Sequence, residues 1–374
     1  MKPTVAEERR EPGPDRLRGL VIVLMALDHV RLFFHADALR FSPTDLTQTY
    51  LALFLTRFVT HYCAPTFALL AGLGAFLHYA KGRDQARTAR FLLTRGFWLV
   101  FLDVALISPI FTQEIGKFAL GTLWAIGGGL IVLSALCFLG SRAVLAIGCV
   151  ILASHDLFDG VRAASLGALG PFWNLIHEPG PLPFGIAGRV AYPMLPWIGV
   201  VALGYGLGPL FFAEADRRER ILTAGGLAAL SAFIVLRGID QYGDPKPWSV
   251  QPNATMTALS FLNVSKYPPS LLYALVTLGP ALILLPRMEK LSGAVGKILA
   301  DFGRVPLFFY VAHLYAGAAV ILVLMHFEEP PEAYRIGLPW VYLVWIALVA
   351  ALYPACRWFA NLKRRSDAWQ LSYL

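Results

Sequence analysis

The sequence predicts an all-α, polytopic integral membrane protein of about ten transmembrane helices, with the N-terminus and the C-terminus in the cytoplasm. Composition is the first observation behind this prediction. The 374 residues are 57% hydrophobic and only 15% charged, and the mean hydropathy is +0.60. A soluble domain carries about 25% charged residues, so the composition excludes a soluble globular protein. The other two observations are the apolar segments and the positions of the charges.

Apolar segments of spanning length follow one another along the chain, since a membrane-spanning helix needs about 20 mainly apolar residues. The predicted spans are residues 17–37, 51–79, 91–110, 120–139, 142–158, 190–212, 219–237, 267–286, 304–326 and 338–361. A tight turn at Gly140-Ser141 is expected between the fourth and fifth spans. Small residues at Gly204, Gly206 and Gly208 are expected to let helices approach closely.

Two long polar loops interrupt this pattern. The first runs from the fifth span to about residue 189, and the second covers 238–266 and contains the amphipathic candidate TALSFLNVSK. The sequence contains no low-complexity segment and no repeat at a solenoid period. We therefore predict one transmembrane domain, 16–362, between cytoplasmic tails at 1–15 and 363–374.

The positions of the basic residues predict the orientation. With a cytoplasmic N-terminus and this set of spans, most of the 32 Lys and Arg residues fall on the inner side, as the positive-inside rule requires. Both long loops then lie outside. The net charge of +8 follows from this topology, so we expect the lipid bilayer as a partner and no nucleic acid.

The first predicted helix carries ionisable residues in its apolar interior. Arg18 and His29 lie on one face, about 16 Å apart along the helix axis. Asp28, Arg31 and His35 form a second stripe at i, i+3, i+7 spacing. Ionisable groups inside a membrane segment indicate a functional site by default. The alternative is a self-neutralised Asp–Arg pair beside a histidine of the core.

Helical rise places four ionisable residues at a similar depth. His29, His61, Asp103 and His313 lie about 14–18 Å into their predicted helices. We expect a shared site for His29 and His61, and we interpret Asp103 and His313 as candidate substrate-binding groups at the same level. Arg57 lies one turn from His61, where it could clamp an anion.

A neutral histidine beside an aspartate suits proton abstraction. His29 would take a proton from a hydroxyl or amine nucleophile, and Asp28 would hold its tautomer. No serine-hydrolase, zinc-protease, P-loop or dinucleotide motif is present. The four cysteines show no metal-ligand spacing, so we expect no metal. Arg18, Arg95 and Arg304 are candidates for holding the phosphates of a cytoplasmic donor, although the positive-inside rule explains them equally well.

Several segments resemble the heparan-alpha-glucosaminide N-acetyltransferase-like membrane proteins, in their bacterial branch. They are RLRGLVIVLMALDHVRLFFH, HYCAPTFALLAGLGAFL, LGTLWAIGGGLIVLSAL, AYPMLPWIGVVALGYGLG, NVSKYPPSLLY and FGRVPLFFYVAHLY. The resemblance extends from about Arg16 to about Tyr315. The first helix also resembles the acyltransferase-3 family, whose basic residue and histidine correspond to Arg18 and His29.

This resemblance implies a multi-pass acyltransferase of the bacterial inner membrane. The donor it implies is cytoplasmic acyl-CoA, with acetyl-CoA expected, and the acceptor is a carbohydrate or another envelope molecule on the far side. A histidine near mid-membrane would act as the base, and the order of candidates is His29, then His61, then His35. The lysosomal branch has an asparagine at the position of His29 and a later histidine, for which His35 is the nearest candidate.

Two other functions remain open at this point. A proton-coupled transporter or flippase would use Asp28, His29, His61 and Asp103 as a relay. The chain lacks the internal repeats with matching broken helices that many secondary transporters carry, which favours the enzyme. A structural subunit of an envelope complex would leave the polar cluster unexplained. A homodimer also remains open.

Overall fold

The computed structural model describes residues 12–114, 116–327, 335–366 and 371. The fold is mostly helical, as predicted. The helices are α1 Pro12–Phe34, α2 Leu51–His61, α3 Cys63–Gly82, α4 Gln85–Leu102, α5 Ser108–Thr112, α6 Thr122–Leu136, α7 Ser141–Ser154, α8 Gly170–Ile176, α9 Leu195–Leu207, α10 Ala215–Ile239, α11 Ala254–Leu262, α12 Leu271–Lys290, α13 Gly293–Arg304, α14 Pro306–Phe327 and α15 Leu338–Arg365.

Within the described ranges, nine helical segments are long and apolar enough to cross a membrane. They correspond to the predicted spans from the second to the tenth. Helix α1, the first predicted span, is also long enough at 23 residues. It is not among these nine because three charged residues, Arg18, Asp28 and Arg31, lie along its apolar stretch. The protein is therefore a multi-pass membrane protein, and α1 differs from the other spans in its charge content.

The N-terminal end of α1 has clear local causes. The helix begins at Pro12, five residues before the predicted start at 17. Proline suits the first helical turn, where its missing N–H has no intrahelical partner to lose, and Asp15 favours the positive end of the helix dipole. Residues 1–11 of the predicted tail 1–15 lie outside the described residues. Residues 367–370 and 372–374 of the predicted tail 363–374 also lie outside them.

Two compact units make up the described structure. The first unit consists of the described residues of Met1–Ala36, Ala213–Leu227 and Pro280–Leu374. The second unit consists of those of Asp37–Phe212 and Ala228–Gly279. Helix α1 belongs to the first unit and packs there against α13, α14 and α15.

Backbone contacts without side chains hold α1 against α13. A Cβ atom on Gly19 would collide with the main chain of Leu299, and one on Gly303 would collide with the main chain of Asp15. Helix α13 itself was missed in the sequence. It has only 12 residues, which is too short for a membrane span. Its buried residues lie on one side of the helix, and they are Gly296, Ala300, Asp301, Phe302 and Gly303.

Close packing in the second unit confirms the expectation for the glycines of α9. A Cβ on Gly204 would meet the backbone of Leu69 on α3, one on Gly206 would meet Leu145 on α7, and one on Gly208 would meet the ring of Phe76. The predicted turn before α7 is also present, because Gly140 adopts φ +79°, a conformation that glycine reaches without strain.

A small sheet that the sequence did not predict joins the segment before α6 to the end of the first long loop. Its strands are β1 Phe118–Leu120, β2 Gly180–Pro181 and β3 Gly188–Val190, in the order β1-β3-β2. Strands β1 and β3 are parallel, with Phe118 opposite Gly188, and β2 pairs with β3 in antiparallel fashion. Leu120 of β1 and Val190 of β3 form a buried apolar cluster with Leu182.

Arg237 anchors the second long loop. Its side chain is 1% exposed, and it donates to the carbonyl oxygens of Lys246 at 2.8 Å, Phe261 at 3.0 Å and Asn263 at 3.1 Å. The predicted amphipathic helix is α11, whose N-terminus is capped by Asn253 accepting from the N–H of Met256. The hydrogen bonds of the Arg237 guanidinium thus connect this loop to α10.

We expect Gly204→Ala to lower the free energy of unfolding by about 1–3 kcal/mol, the usual cost of overpacking, because the added methyl group must displace the Leu69 backbone. Gly74→Ala is the matched control, since a Cβ at Gly74 has nothing within 4 Å. Thermal unfolding in detergent measures both variants. Equal stability of the two variants would contradict the close packing of α3 and α9.

Candidate functional site

A hydrogen-bonded pair of histidines lies in the first unit. Helix α1 contributes His29 and helix α14 contributes His313, with His29 Nδ1 2.7 Å from His313 Nε2. The two rings are stacked with their centroids 5.0 Å apart. His313 is 1% exposed, so water does not compete for this hydrogen bond. The structure therefore brings together two residues that the sequence placed at one depth.

The partners of His313 determine which nitrogens carry protons. His313 Nδ1 lies 2.7 Å from the carbonyl oxygen of Phe309, one turn back on α14. A carbonyl oxygen only accepts, so Nδ1 carries the proton, and in a neutral ring Nε2 holds the lone pair. His313 Nε2 then accepts from His29 Nδ1–H. In neutral His29 the basic lone pair is consequently on Nε2.

Aromatic rings surround this pair. Tyr310 lies 5.9 Å from the ring of His29 and 5.8 Å from that of His313, and Phe309 stacks on His313 at 5.0 Å. His313 is shielded from water on its side of the pair, which strengthens the hydrogen bond between the two rings.

The second stripe of α1 contains the expected ion pair. Asp28 Oδ1 accepts from Arg31 Nη2 at 3.0 Å and from Arg31 Nε at 3.3 Å, which confirms the Asp–Arg pairing. The contact on His29 Nδ1 comes from His313 and not, as expected, from Asp28. Neighbouring residues on a helix point about 100° apart, so Asp28 faces its i+3 partner. His35, 2% exposed, lies at the C-terminal end of α1.

Arg18 and Arg304 meet around Asp15 at the other end of α1. Arg18 Nη1 lies 3.0 Å from Asp15 Oδ1 and 3.1 Å from the carbonyl oxygen of Gly303. Arg304 lies 4.0 Å from Asp15 and 3.5 Å from Asp301, which also accepts from the Tyr353 hydroxyl. The two cations thus share a network with two carboxylates, which partly neutralises them. A donor phosphate would have to compete with these carboxylates.

His61 ends a helix in the second unit because of Pro65. Proline has no N–H to donate to the carbonyl oxygen four residues earlier, which here is that of His61. The Tyr273 hydroxyl donates to that oxygen instead, at 2.8 Å, and the rings of His61 and Tyr273 lie 5.6 Å apart. The predicted span 51–79 is confirmed as the segment Leu51–Gly82, which consists of two helices, α2 and α3, with the break at Tyr62. Pro65 was the sequence signal that marks this break.

Asp103 caps a helix. It begins a π-helical segment, Asp103–Ile107, is 0% exposed, and accepts from the N–H of Gly121 at 2.6 Å through Oδ2. Gly121 immediately precedes α6 and has no side chain with which to cap it. A carboxylate at a helix N-terminus is stabilised by the helix dipole, so Asp103 has a structural role here. Its expected part in substrate binding stays a prediction.

The two remaining predicted residues also belong to the second unit. Arg95 lies 6.0 Å from the ring of Phe91, which stacks on His78. Arg57 donates to the Tyr267 hydroxyl at 3.4 Å. His61, Asp103, Arg57 and Arg95 thus belong to one unit, and His29, His313, Arg18 and Arg304 to the other. The shared site for His29 and His61 remains a prediction.

Comparison with protein families gives a match over more than half of the chain. The family profile described as heparan-alpha-glucosaminide N-acetyltransferase, catalytic, matches residues 10–238, which is more than half of the chain. This range includes α1 with His29, and it also includes His61 and Asp103. No curated protein matches the chain.

Removing one partner of the Asp28–Arg31 pair tests its structural contribution. Asp28→Asn leaves the guanidinium of Arg31, whose side chain is 6% exposed, without its carboxylate. Breaking a buried pair costs about 3–5 kcal/mol, so we expect a large fall in unfolding free energy. The double variant Asp28→Leu/Arg31→Met should recover part of this loss. A double variant less stable than Asp28→Asn would show that the two residues do not act as a pair.

Proposed function

The chain belongs to the heparan-alpha-glucosaminide N-acetyltransferase family, and from this premise we propose that it transfers an acetyl group from cytoplasmic acetyl-CoA to an envelope carbohydrate, with His29 as the general base. The observation that carries the proposal is the hydrogen bond between His29 Nδ1 and His313 Nε2. It leaves the basic lone pair of His29 on Nε2. The proposed location is the bacterial inner membrane.

The reaction needs one proton transfer in each direction. His29 Nε2 takes the proton of an acceptor hydroxyl or amino group as its oxygen or nitrogen attacks the thioester carbonyl carbon. The carbon–sulfur bond then breaks, and the departing CoA thiolate takes the proton from the His29 imidazolium. Acetylated acceptor and CoA thiol are the products, and His29 returns to its neutral state.

His313 is the positioning residue in this scheme. Its Nε2 accepts from His29 Nδ1–H and holds the ring orientation throughout the reaction. When His29 becomes an imidazolium, this hydrogen bond becomes charge-assisted and therefore stronger. His313 thus does what the aspartate does in a catalytic triad, without bringing a second buried charge.

The donor would enter at the end of α1 that carries Arg18. Arg18 and Arg304 lie on the same network around Asp15, and a phosphate of acetyl-CoA would offer each guanidinium a further acceptor. Arg95 is a third candidate for holding a donor phosphate, in the second unit. In the predicted topology all three residues lie toward the cytoplasm.

We expect His29→Ala to lower kcat about 10²–10⁴-fold, the usual contribution of a general base, while acetyl-CoA still binds saturably. His313→Phe keeps a ring against His29 but removes the acceptor for Nδ1–H. It should lower kcat to a smaller extent and leave the KM for acetyl-CoA unchanged. Transfer of radiolabelled acetyl groups by protein in nanodiscs measures these values.

His326→Gln is the matched control, because it changes another histidine of the same helix, one that is exposed, and it should behave as the wild type. Full acetyl transfer by His29→Ala would contradict the proposed base. Full activity of His313→Phe would contradict the positioning role while leaving His29 in place. Wild-type protein that is folded but binds no acetyl-CoA would contradict the transferase itself.

A further inference from the structure

Helix α8, in the first long loop, has its polar and apolar sides inverted. Its buried side consists of three residues at i, i+4, i+7 spacing, namely Gly170, Asn174 and His177 just after the helix. The opposite side is exposed and consists of three apolar residues at i, i+3, i+7 spacing, Leu169, Phe172 and Ile176. A helix on the surface of a soluble protein turns its apolar stripe toward the core and its polar residues toward water. Helix α8 does the reverse.

The polar side chains of α8 have their hydrogen-bond partners inside the loop. Asn174 Nδ2 donates to the carbonyl oxygen of Pro181 at 2.9 Å. Trp173 Nε1 donates to the carbonyl oxygen of Val161, also at 2.9 Å. Hydrocarbon supplies no hydrogen bonds, so an element in contact with lipid must satisfy its polar groups internally. These two side chains of α8 meet that requirement.

The charged residues of segment 157–187 are likewise paired within it. They are Asp159, Arg162 and Glu178. Asp159 Oδ1 lies 3.0 Å from Nε2 of His177, on the buried side of α8. Glu178 lies 3.4 Å from Arg162 Nη1 through Oε1, and its Oε2 accepts from the N–H of Ala163 at 2.7 Å. Charge is therefore kept off the exposed apolar side of the helix.

Phe184 enlarges this exposed side. Its ring lies 5.3 Å from that of Phe172, nearly perpendicular to it, and the residue is 83% exposed. Its backbone has φ +60°, a left-handed conformation that is unfavourable for a residue with a Cβ atom. In water, an unfavourable backbone that projects a phenyl ring outward gains nothing. In hydrocarbon, the transfer of the ring out of water offsets the strain.

The exposed apolar side of α8 continues the surface of a membrane span. The segment Ser141–Phe158 is long and apolar enough to cross a membrane, and its last residues, Leu157 and Phe158, are both exposed. The ring of Phe158 lies 6.2 Å from that of Trp173 on α8. The apolar surface of the loop thus begins where that of the span ends, which places the hydrocarbon of the bilayer within its reach.

We infer that the face formed by Leu169, Phe172, Ile176 and Phe184 inserts among the phospholipid acyl chains at this end of the span. In the predicted topology this is the outer leaflet. The loop that the sequence predicted to be polar is then a membrane-embedded element, held in the plane of the interface by its apolar side. This inference goes beyond the proposed function and does not depend on acetyl transfer.

The test is spin-label accessibility in the full-length protein, reconstituted in phosphatidylcholine nanodiscs. The exposed Cys149 is changed to serine, since the other three cysteines are buried. Leu169→Cys, Ile176→Cys and Phe184→Cys are then made singly and labelled with a nitroxide. Collisions with molecular oxygen, which concentrates in hydrocarbon, are compared with collisions with a neutral nickel chelate, which stays in water. We expect an oxygen-to-nickel ratio about tenfold higher at these positions than at a water-exposed control, because hydrocarbon excludes the polar chelate.

Val250→Cys is the matched control. Val250 is also apolar and exposed, at 81%, and belongs to the same unit, but it lies between Ser249 and Gln251 in the second long loop. Ratios at the three positions no higher than at Val250 would overturn the inference in favour of a water-exposed loop. Low accessibility to both reagents would also overturn it, because protein would then cover the face. Three separate positions keep the test decisive if one variant fails to fold.

Discussion

A backbone carbonyl fixes the protonation of the histidine pair, and the chemistry of the site depends on it. The oxygen of Phe309 can only accept, so His313 Nδ1 carries a proton and His313 Nε2 receives the proton of His29 Nδ1. The basic nitrogen of His29 is thereby assigned without an aspartate. In a membrane this arrangement has an advantage, because a second buried charge would cost several kcal/mol of desolvation. Its geometry depends in turn on how closely α1 and its neighbours pack, which Gly19 and Gly303 permit.

Several other ionisable groups in the spanning helices stabilise the fold. Asp28 pairs with Arg31, Asp103 caps α6, and Arg237 donates hydrogen bonds to the carbonyl oxygens of a loop. A backbone polar group without a partner costs several kcal/mol in the bilayer, and Asp103 and Arg237 supply such partners at the ends of helices. Tyr273 does the same for the carbonyl oxygen that Pro65 leaves without a donor. These side chains thus have structural partners, in contrast to the histidine pair, whose two imidazoles bond to each other.

The sequence predicted what depends on local pattern. Apolar length gave the spans to within a few residues, for example 142–158 against the observed Ser141–Phe158. Helical spacing predicted the Asp28–Arg31 pair, and small residues predicted the close packing of Gly204. The sheet was missed because its strands have two or three residues and pair across a long loop. The pairing of His29 with His313 joins residues 284 apart in the sequence, and helical depth could not say how helices are arranged around one another.

The ring nitrogens of His29 offer the most direct measurement of the central claim. Solid-state NMR of protein labelled with ¹⁵N-histidine in lipid bilayers distinguishes protonated from unprotonated imidazole nitrogens, and a His29→Gln spectrum assigns the signals of His29 among the eight histidines. We predict that near neutral pH His29 carries its proton on Nδ1 and an unprotonated Nε2, with a hydrogen-bond coupling from Nδ1 to His313. A His29 ring protonated on Nε2 alone would contradict the account, because the nitrogen assigned as the base would then have no lone pair with which to accept a proton.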